Sequence, residues 1–564
     1  MSATPATRFE DIPLTEPDFS AIGSHVKALL AVLGSATSAD QCLPALDDWN
    51  SLQCRVETFE NLIHLRFEQD TANPARKAAR EAWDEQRPRW IELKVEVKRA
   101  LLAHPMRAEF EAAVGQQAFA LWESSVLAFD AAIKESLVLE SKLVAEYTEL
   151  CASAELDYLG EELSLSTIQK YRQDADRETR HGAERVLWNW FQDKGASLDR
   201  IFDDLVRVRA DMASTLGFDD FTDLGYKRMS RIDYGRTDVE RFRAEIVSDV
   251  VPLCEELRKG QAERLGVESL MAWDEALQDS GGNPKPKGDE AWMLERSQEM
   301  FDAMGGDLGE FFRKMNSGGF FDLDSRKGKA GGGFCTSFPT HGMPFVFANF
   351  NGTLGDVRVL THEVGHAFQN YSSNALSPVD YHWPTAESAE VHSMGLEFLT
   401  YPHMDSFFGE DGDRFRKVHL TLALLFLPYG TAVDHFQHLI YERPDATPAE
   451  RHELWREMER IYMPGKDWGD LDYPGKGGRW QQQMHIYFEP FYYIDYVLAQ
   501  TCALQFWAWA EKDREAAMKS YVELCRRGGS APFQELVRGA GLVSPFQAGC
   551  LSDVVERARA VLSV

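Results

Sequence analysis

The sequence predicts a mainly α fold: one large, two-lobed helical body carrying a small β-hairpin or sheet. Three observations lead there. Apolar positions recur at helical spacing through most of the chain. Two β-prone runs separated by a turn occur in one place only. The 564 residues, 44% hydrophobic and 27% charged, are too many for one small core, suit either roughly three or four conventional domains or one large helical body with two lobes, and contain no fixed-period repeat or low-complexity tract.

In chain order, residues 90–102 set the pattern: Trp90, Leu93, Val97 and Leu101 fall on one helical face. Similar spacing runs through 119–150, 183–191 and 201–216. Aromatics make up 12% of the chain, and in such helices they are core residues first. Polar, Gly/Pro-rich stretches at 278–288, 325–333 and 474–478 read as loops, and beyond that as hinges or lids. The β-prone runs 334–338 and 345–350 read as a hairpin, with Pro344 at a strand start where a missing N–H is tolerated. An exposed edge there would let a peptide add itself as a strand. Next comes an amphipathic helix, with Asp356 as its N-cap and Val357, Leu360, Val364, Ala367 and Tyr371 on its apolar side. A second helix, capped by Thr385, runs to about residue 400.

Charge excludes some functions. Ninety acidic residues against 60 basic give a net charge of −30, which is unsuited to neutralising phosphates or docking on anionic lipid. The excess acid reads as a solvated surface, or more sharply as an acidic groove that draws cationic peptides. Residues 1–20 carry no basic leader or apolar core, and the longest mainly apolar run, 420–427, is far short of the roughly 20 residues a membrane span needs. The eight cysteines form no Cys-x-x-Cys pair and read as reduced thiols of a cytoplasmic protein.

The chemistry lies in His362-Glu363-Val364-Gly365-His366. Histidines four apart share a helical face and can bind one cation at the short distance zinc requires. Glu363, about 100° round the helix, is placed to take a proton from a water on that ion. Gly365, about 1 kcal/mol worse than alanine in a helix, implies a close neighbour. The motif arises by chance in roughly 3% of chains of this composition, so the surrounding helix adds weight to it. A catalytic zinc keeps three protein ligands and an open position. On the second helix Glu387, Glu390 and Glu397 line one side; spacing alone does not choose between Glu387 and Glu390, and His382 and His392 lie nearby.

These segments make the chain resemble the thimet oligopeptidase and oligoendopeptidase F family of zinc peptidases, in its shorter bacterial branch. The resemblance spans about 165–496, through DADRETR (174–180), IFDDLVRVR (201–209), LGFDDF (216–221), RMSR (228–231), the glycines before Phe334 and the zinc helix. Before residue 165 the family has a variable helical lobe, which divides the chain into an N-terminal lobe (1–164) and a catalytic domain (165–564). The family's second ligand motif, a glutamate with a small residue at +3 and an acid at +7, matches Glu390, Ser393 and Glu397. The resemblance thus makes Glu390 the third ligand and Glu397 its support. It also places a histidine and tyrosines beside the reacting carbonyl, for which His485, Tyr492 and Tyr496 are the best matches; an earlier tyrosine of the animal members would fall near Glu489.

What the resemblance implies is one Zn²⁺ per chain in a deep substrate cleft and hydrolysis of internal bonds of short oligopeptides. The ion lowers the pKa of water towards about 7, Glu363 moves its proton, and the ion with His485 or a tyrosine stabilises the oxyanion. The 474–478 loop would move with substrate. The rival readings are a helical zinc exopeptidase, of dipeptidyl carboxypeptidase or metallocarboxypeptidase type, and an inactive peptide-binding scaffold.

Overall fold

Apolar spacing of three and four residues resolves into helices over most of the chain in the computed structural model, which describes residues 8–563. The N-terminal helices include α1 (Leu43–Gln69), α2 (Pro74–Leu102) and α3 (Lys134–Ala152). Helix α2 starts where Asn73 accepts from the N–H groups of Ala75 and Arg76, with Pro74 at its first position. Trp90, Val97 and Leu101 are buried as their spacing predicts. With Ile22, Val26, Trp49 and Phe119 they form one apolar core; a second, larger core fills the rest of the molecule.

Strands β1 (Leu156–Tyr158) and β2 (Glu161–Leu163) form an antiparallel pair ahead of the 39-residue helix α4 (Arg177–Thr215). The main sheet has three strands: β3 (Phe321–Asp324), β4 (Phe334–Phe338) and β5 (Met343–Phe350), in the order β3-β5-β4. The antiparallel β4–β5 pair is the predicted hairpin. Its turn is a short 3-10 helix closed by Gly342 at φ +59°. Strand β3, parallel to β5, and the β1–β2 pair are additions to the single sheet element expected. Pro344 is the second residue of β5, opposite Ser337, rather than its first. Ser337 turns its carbonyl outward to accept from Asn61 Nδ2 at 2.8 Å, so the missing proline N–H costs the ladder nothing.

Helix α5 (Leu354–Ser373) follows the sheet directly. Its N-cap is Thr353, not Asp356: the threonine hydroxyl accepts from Gly355 N–H, while Asp356, in the first turn, accepts from Asn351 and Gly352 N–H. Two capping residue types three apart allowed either reading, and the carboxylate's backward reach decides it. Helix α6 (Ala386–Leu399) begins after Thr385 as predicted, and every residue from Glu387 to Leu399 is buried. Helices α7 (Gly412–Glu442), α8 (Met484–Phe488) and α9 (Tyr493–Ala510) complete the frame, with α9 packed along α6. The 474–478 stretch does not behave as an open loop. It ends a short helix (Asp472–Gly475), and Gly477, at φ +98°, lies so close to His452 O that a Cβ would stand 2.0 Å from it. No described helix is long and apolar enough to cross a membrane.

Candidate metal centre

Helices α5 and α6 cross at Gly365. A Cβ there would stand 2.6 Å from Ser393 Cα and 2.7 Å from His392 O, so glycine sets how closely the two helices approach. That approach brings His362 and His366 onto Glu390. Their Nε2 atoms lie 3.2 and 3.3 Å from Glu390 Oε2. Two ligands each 2.0–2.1 Å from a tetrahedral ion stand about 3.3 Å apart, so the separations suit a shared zinc. These three residues are a group whose ligand atoms all lie within 4.8 Å of one another and could hold a metal ion. Two imidazoles and a carboxylate are also a donor set zinc accepts.

The three buried glutamates of α6 have different surroundings. Burial opposes the charge on Glu390, but His366 and His362 hold its carboxyl well below the usual range. Its other oxygen, Oε1, accepts from Tyr492 Oη at 2.5 Å, and Ser393 Oγ donates to Oε2 at 2.8 Å. Glu397 bridges two histidines, with 2.6 Å contacts from Oε1 to His362 Nδ1 and from Oε2 to His419 Nε2. His419 Nδ1 in turn lies 2.7 Å from Tyr401 Oη. A carboxylate on Nδ1 aims Nε2 of His362 at the ion position. Despite burial, the bonds to Glu390 and Glu397 hold the His362 pKa well above its ordinary value. Glu387 faces elsewhere: burial and the neighbouring Asp495 push its carboxyl up, and Thr385 Oγ1 donates to its Oε1 at 3.0 Å. His382 bonds to Leu376 O, and His392 is fully buried with neither ring nitrogen partnered among the described residues; neither joins the cluster.

Glu363 is buried, and its Oε2 has no hydrogen-bond partner among the described residues. Burial raises its pKa above the ordinary glutamate value. Gly333 keeps space open beside it: a Cβ there would stand 3.3 Å from Glu363 Oε1 and 3.4 Å from Phe347 O.

The turn between α8 and α9 faces the same place. Gln483 Nε2 donates to His485 Nδ1 at 2.9 Å, and Tyr429 Oη donates to Gln483 Oε1 at 2.8 Å. The tyrosine thus fixes which way the amide points, which leaves the His485 proton on Nε2, 3.2 Å from Tyr496 Oη. Burial lowers the His485 pKa to about 4, so the ring is neutral near pH 7. Phe491, at φ +69°, holds the turn in a conformation rare for a side-chain-bearing residue. Its N–H donates to Gln437 Oε1 at 2.9 Å, its carbonyl accepts from Arg231, and its ring fills the space over Gly225. Sequence reasoning missed His419, Gln483, Tyr429 and Arg231. His419, Tyr429 and Arg231 act from other segments, and Gln483, two residues before His485, belongs to no spacing pattern.

A cavity of about 1520 Å³ runs from this turn to the N-terminal helices. Its lining includes the glycines 331–333 and Phe334, Cys335 and Thr336 of the edge strand β4. It is not the acidic groove that the net charge allowed: as many bases as acids line it, and nearly all are paired. Arg80 meets Glu68, Arg87 meets Glu60, Arg228 meets Glu140, and Lys327 meets Glu155 and Glu162. Lys329, with its side chain buried, bonds Asp322 and the carbonyls of Asp324 and Ala348, tying the 325–333 loop to the sheet. Burial and Glu363 push the Cys335 thiol well up, away from a reactive thiolate. All eight cysteines are free.

Residues 170–555 match the profile described as Peptidase family M3, and residues 9–129 match the Peptidase M3 N-terminal domain. A solved structure titled putative oligoendopeptidase F is 44% identical, with a TM-score of 0.97 over 99% of each chain. PZ peptidase A, solved with an inhibitor, is 43% identical with a TM-score of 0.97 over 99% of each chain. A putative oligoendopeptidase F from Bacillus anthracis is 39% identical with a TM-score of 0.93, again over 99% of each. The oligopeptidase PepF of Bacillus subtilis is 22% identical over 244 residues, which are 41% of this chain and 35% of that protein. With the family's profile matched over most of its length, the chain belongs to peptidase family M3.

Proposed function

We propose that this family M3 peptidase is a zinc-dependent endopeptidase that cleaves internal bonds of oligopeptides. The observation that carries the reading is the convergence of His362, His366 and Glu390 on one point beside the buried, unpartnered carboxylate of Glu363. When bound there, zinc supplies a Lewis acid and makes water more acidic. Glu363 takes the proton of the attacking water and delivers it to the leaving amine, and its raised pKa makes it a stronger base for the first transfer. The Nε2–H of His485 and the hydroxyl of Tyr496 donate to the oxygen on which charge develops. Tyr492 holds Glu390 in place through its second oxygen. A substrate strand lies along β4, where the Ser337 carbonyl is already taken by Asn61 and the main chain of Cys335 offers the next pairing position. Residues 1–164 supply the far wall of the cleft and residues 165–564 the chemistry.

An internally quenched peptide blocked at both ends separates this reading from exopeptidase action. The blocked peptide is expected to be cleaved, with loss of activity under chelation and recovery on zinc addition. Cleavage confined to peptides with a free terminus contradicts the endopeptidase reading, and chelator-resistant cleavage contradicts the metal.

A further inference from the structure

The charged side chains lining the cleft are paired, with one exception. Glu489 is exposed to the cavity and makes no ion pair and no side-chain hydrogen bond among the described residues. It sits on the catalytic turn itself: its N–H donates to His485 O at 2.9 Å, and its carbonyl accepts from Tyr492 N–H at 3.2 Å. Arg228, whose charge acts on it, is committed to Glu140 at 2.9 Å.

We infer that Glu489 is a specificity-determining residue that receives a cationic group of the bound peptide, either a lysine or arginine side chain or the free α-amino terminus. This rests on the endopeptidase reading. A carboxylate open to the substrate path, with no partner and with other acids close by, is a ready acceptor for a substrate ammonium or guanidinium. The neighbourhood supports a cation over an anion: burial, with the charges of Asp495 and Glu390, raises the Glu489 pKa to about 7. A positive charge placed there stabilises the ionised form. Tyr492 and His485 flank Glu489 on the same turn, so the cation it selects belongs to a residue near the scissile bond.

The test uses the zinc-loaded full chain and internally quenched peptides with one uncharged core. Lysine or arginine replaces norleucine at each position in turn, in acetylated and free-amine series. The ratio of kcat/KM for cationic over neutral peptide is expected to be about tenfold at one position. In Glu489→Gln that ratio falls to near one, and in Glu489→Lys it inverts in favour of glutamate at the same position. An advantage seen only in the free-amine series assigns the α-amino group; one that survives acetylation assigns the side chain. Cleavage of the neutral core with no cation preference anywhere overturns the inference and leaves the endopeptidase reading standing. So does a preference that persists in Glu489→Gln. Failure to cleave even the neutral core overturns both.

Discussion

Helices α5 and α6 carry their ligands on regular helix faces, whereas the stretch from His485 to Tyr496 is shaped largely by partners on other segments. His362 and His366 share a face because they are four residues apart, and Gly365 lets α6 bring Glu390 to them. The turn depends on Tyr429, Gln483, Gln437, Arg231 and the bare face of Gly225. In the first half of the centre the histidine pair is local in sequence and spacing leaves only the glutamate open; the second half is largely non-local. The two halves should fail differently, one through the metal and the other through turnover.

The largest expected effect separates two glutamates three residues apart. Glu390→Ala should lose zinc and activity together, while Glu387→Ala keeps zinc near one per chain by metal analysis. The reverse result would move the third ligand. In the other half, His485→Ala should keep its zinc but lose about 10²–10³ in kcat, the usual cost of one oxyanion donor. Gln483→Leu, which removes only the group that fixes the tautomer, should lose less. Zinc loss in either variant would show that the turn supports the metal and would break the comparison.

A smaller effect follows from protonation. Glu390 and Glu397 hold the His362 pKa above its ordinary value in the metal-free chain, so a proton competes with zinc near neutral pH. Zinc affinity should weaken as pH falls, with protons released on binding, as calorimetry in buffers of different ionisation enthalpy would show. His485 has the opposite sign. With its pKa lowered to about 4, it stays neutral above that value and should contribute no limb to the kcat profile above about pH 5.

The same contrast explains what the sequence could reveal. The helical body, the hairpin and the His-Glu-x-x-His face were legible because each repeats a short period over several turns or residues. Strands of three and four residues, such as β1, β2 and β3, hold too few positions for alternation to register. The start of α5 was misplaced by one turn because Thr353 and Asp356 both suit a cap. Gly365 announced a close contact that proves to be the α5–α6 crossing. On α6, burial on every side erased the polar face that would have told Glu387 from Glu390, and only the family resemblance separated them. The net charge of −30 gave no guide to the cleft, whose charges are balanced and paired except at Glu489.

The central claim is that His362, His366 and Glu390 hold zinc while Glu363 moves the proton. The most direct measurement is zinc content and kcat together for Glu363→Gln. One zinc per chain with kcat reduced roughly 10²–10⁴-fold is predicted. Near-normal turnover with zinc in place would contradict the account.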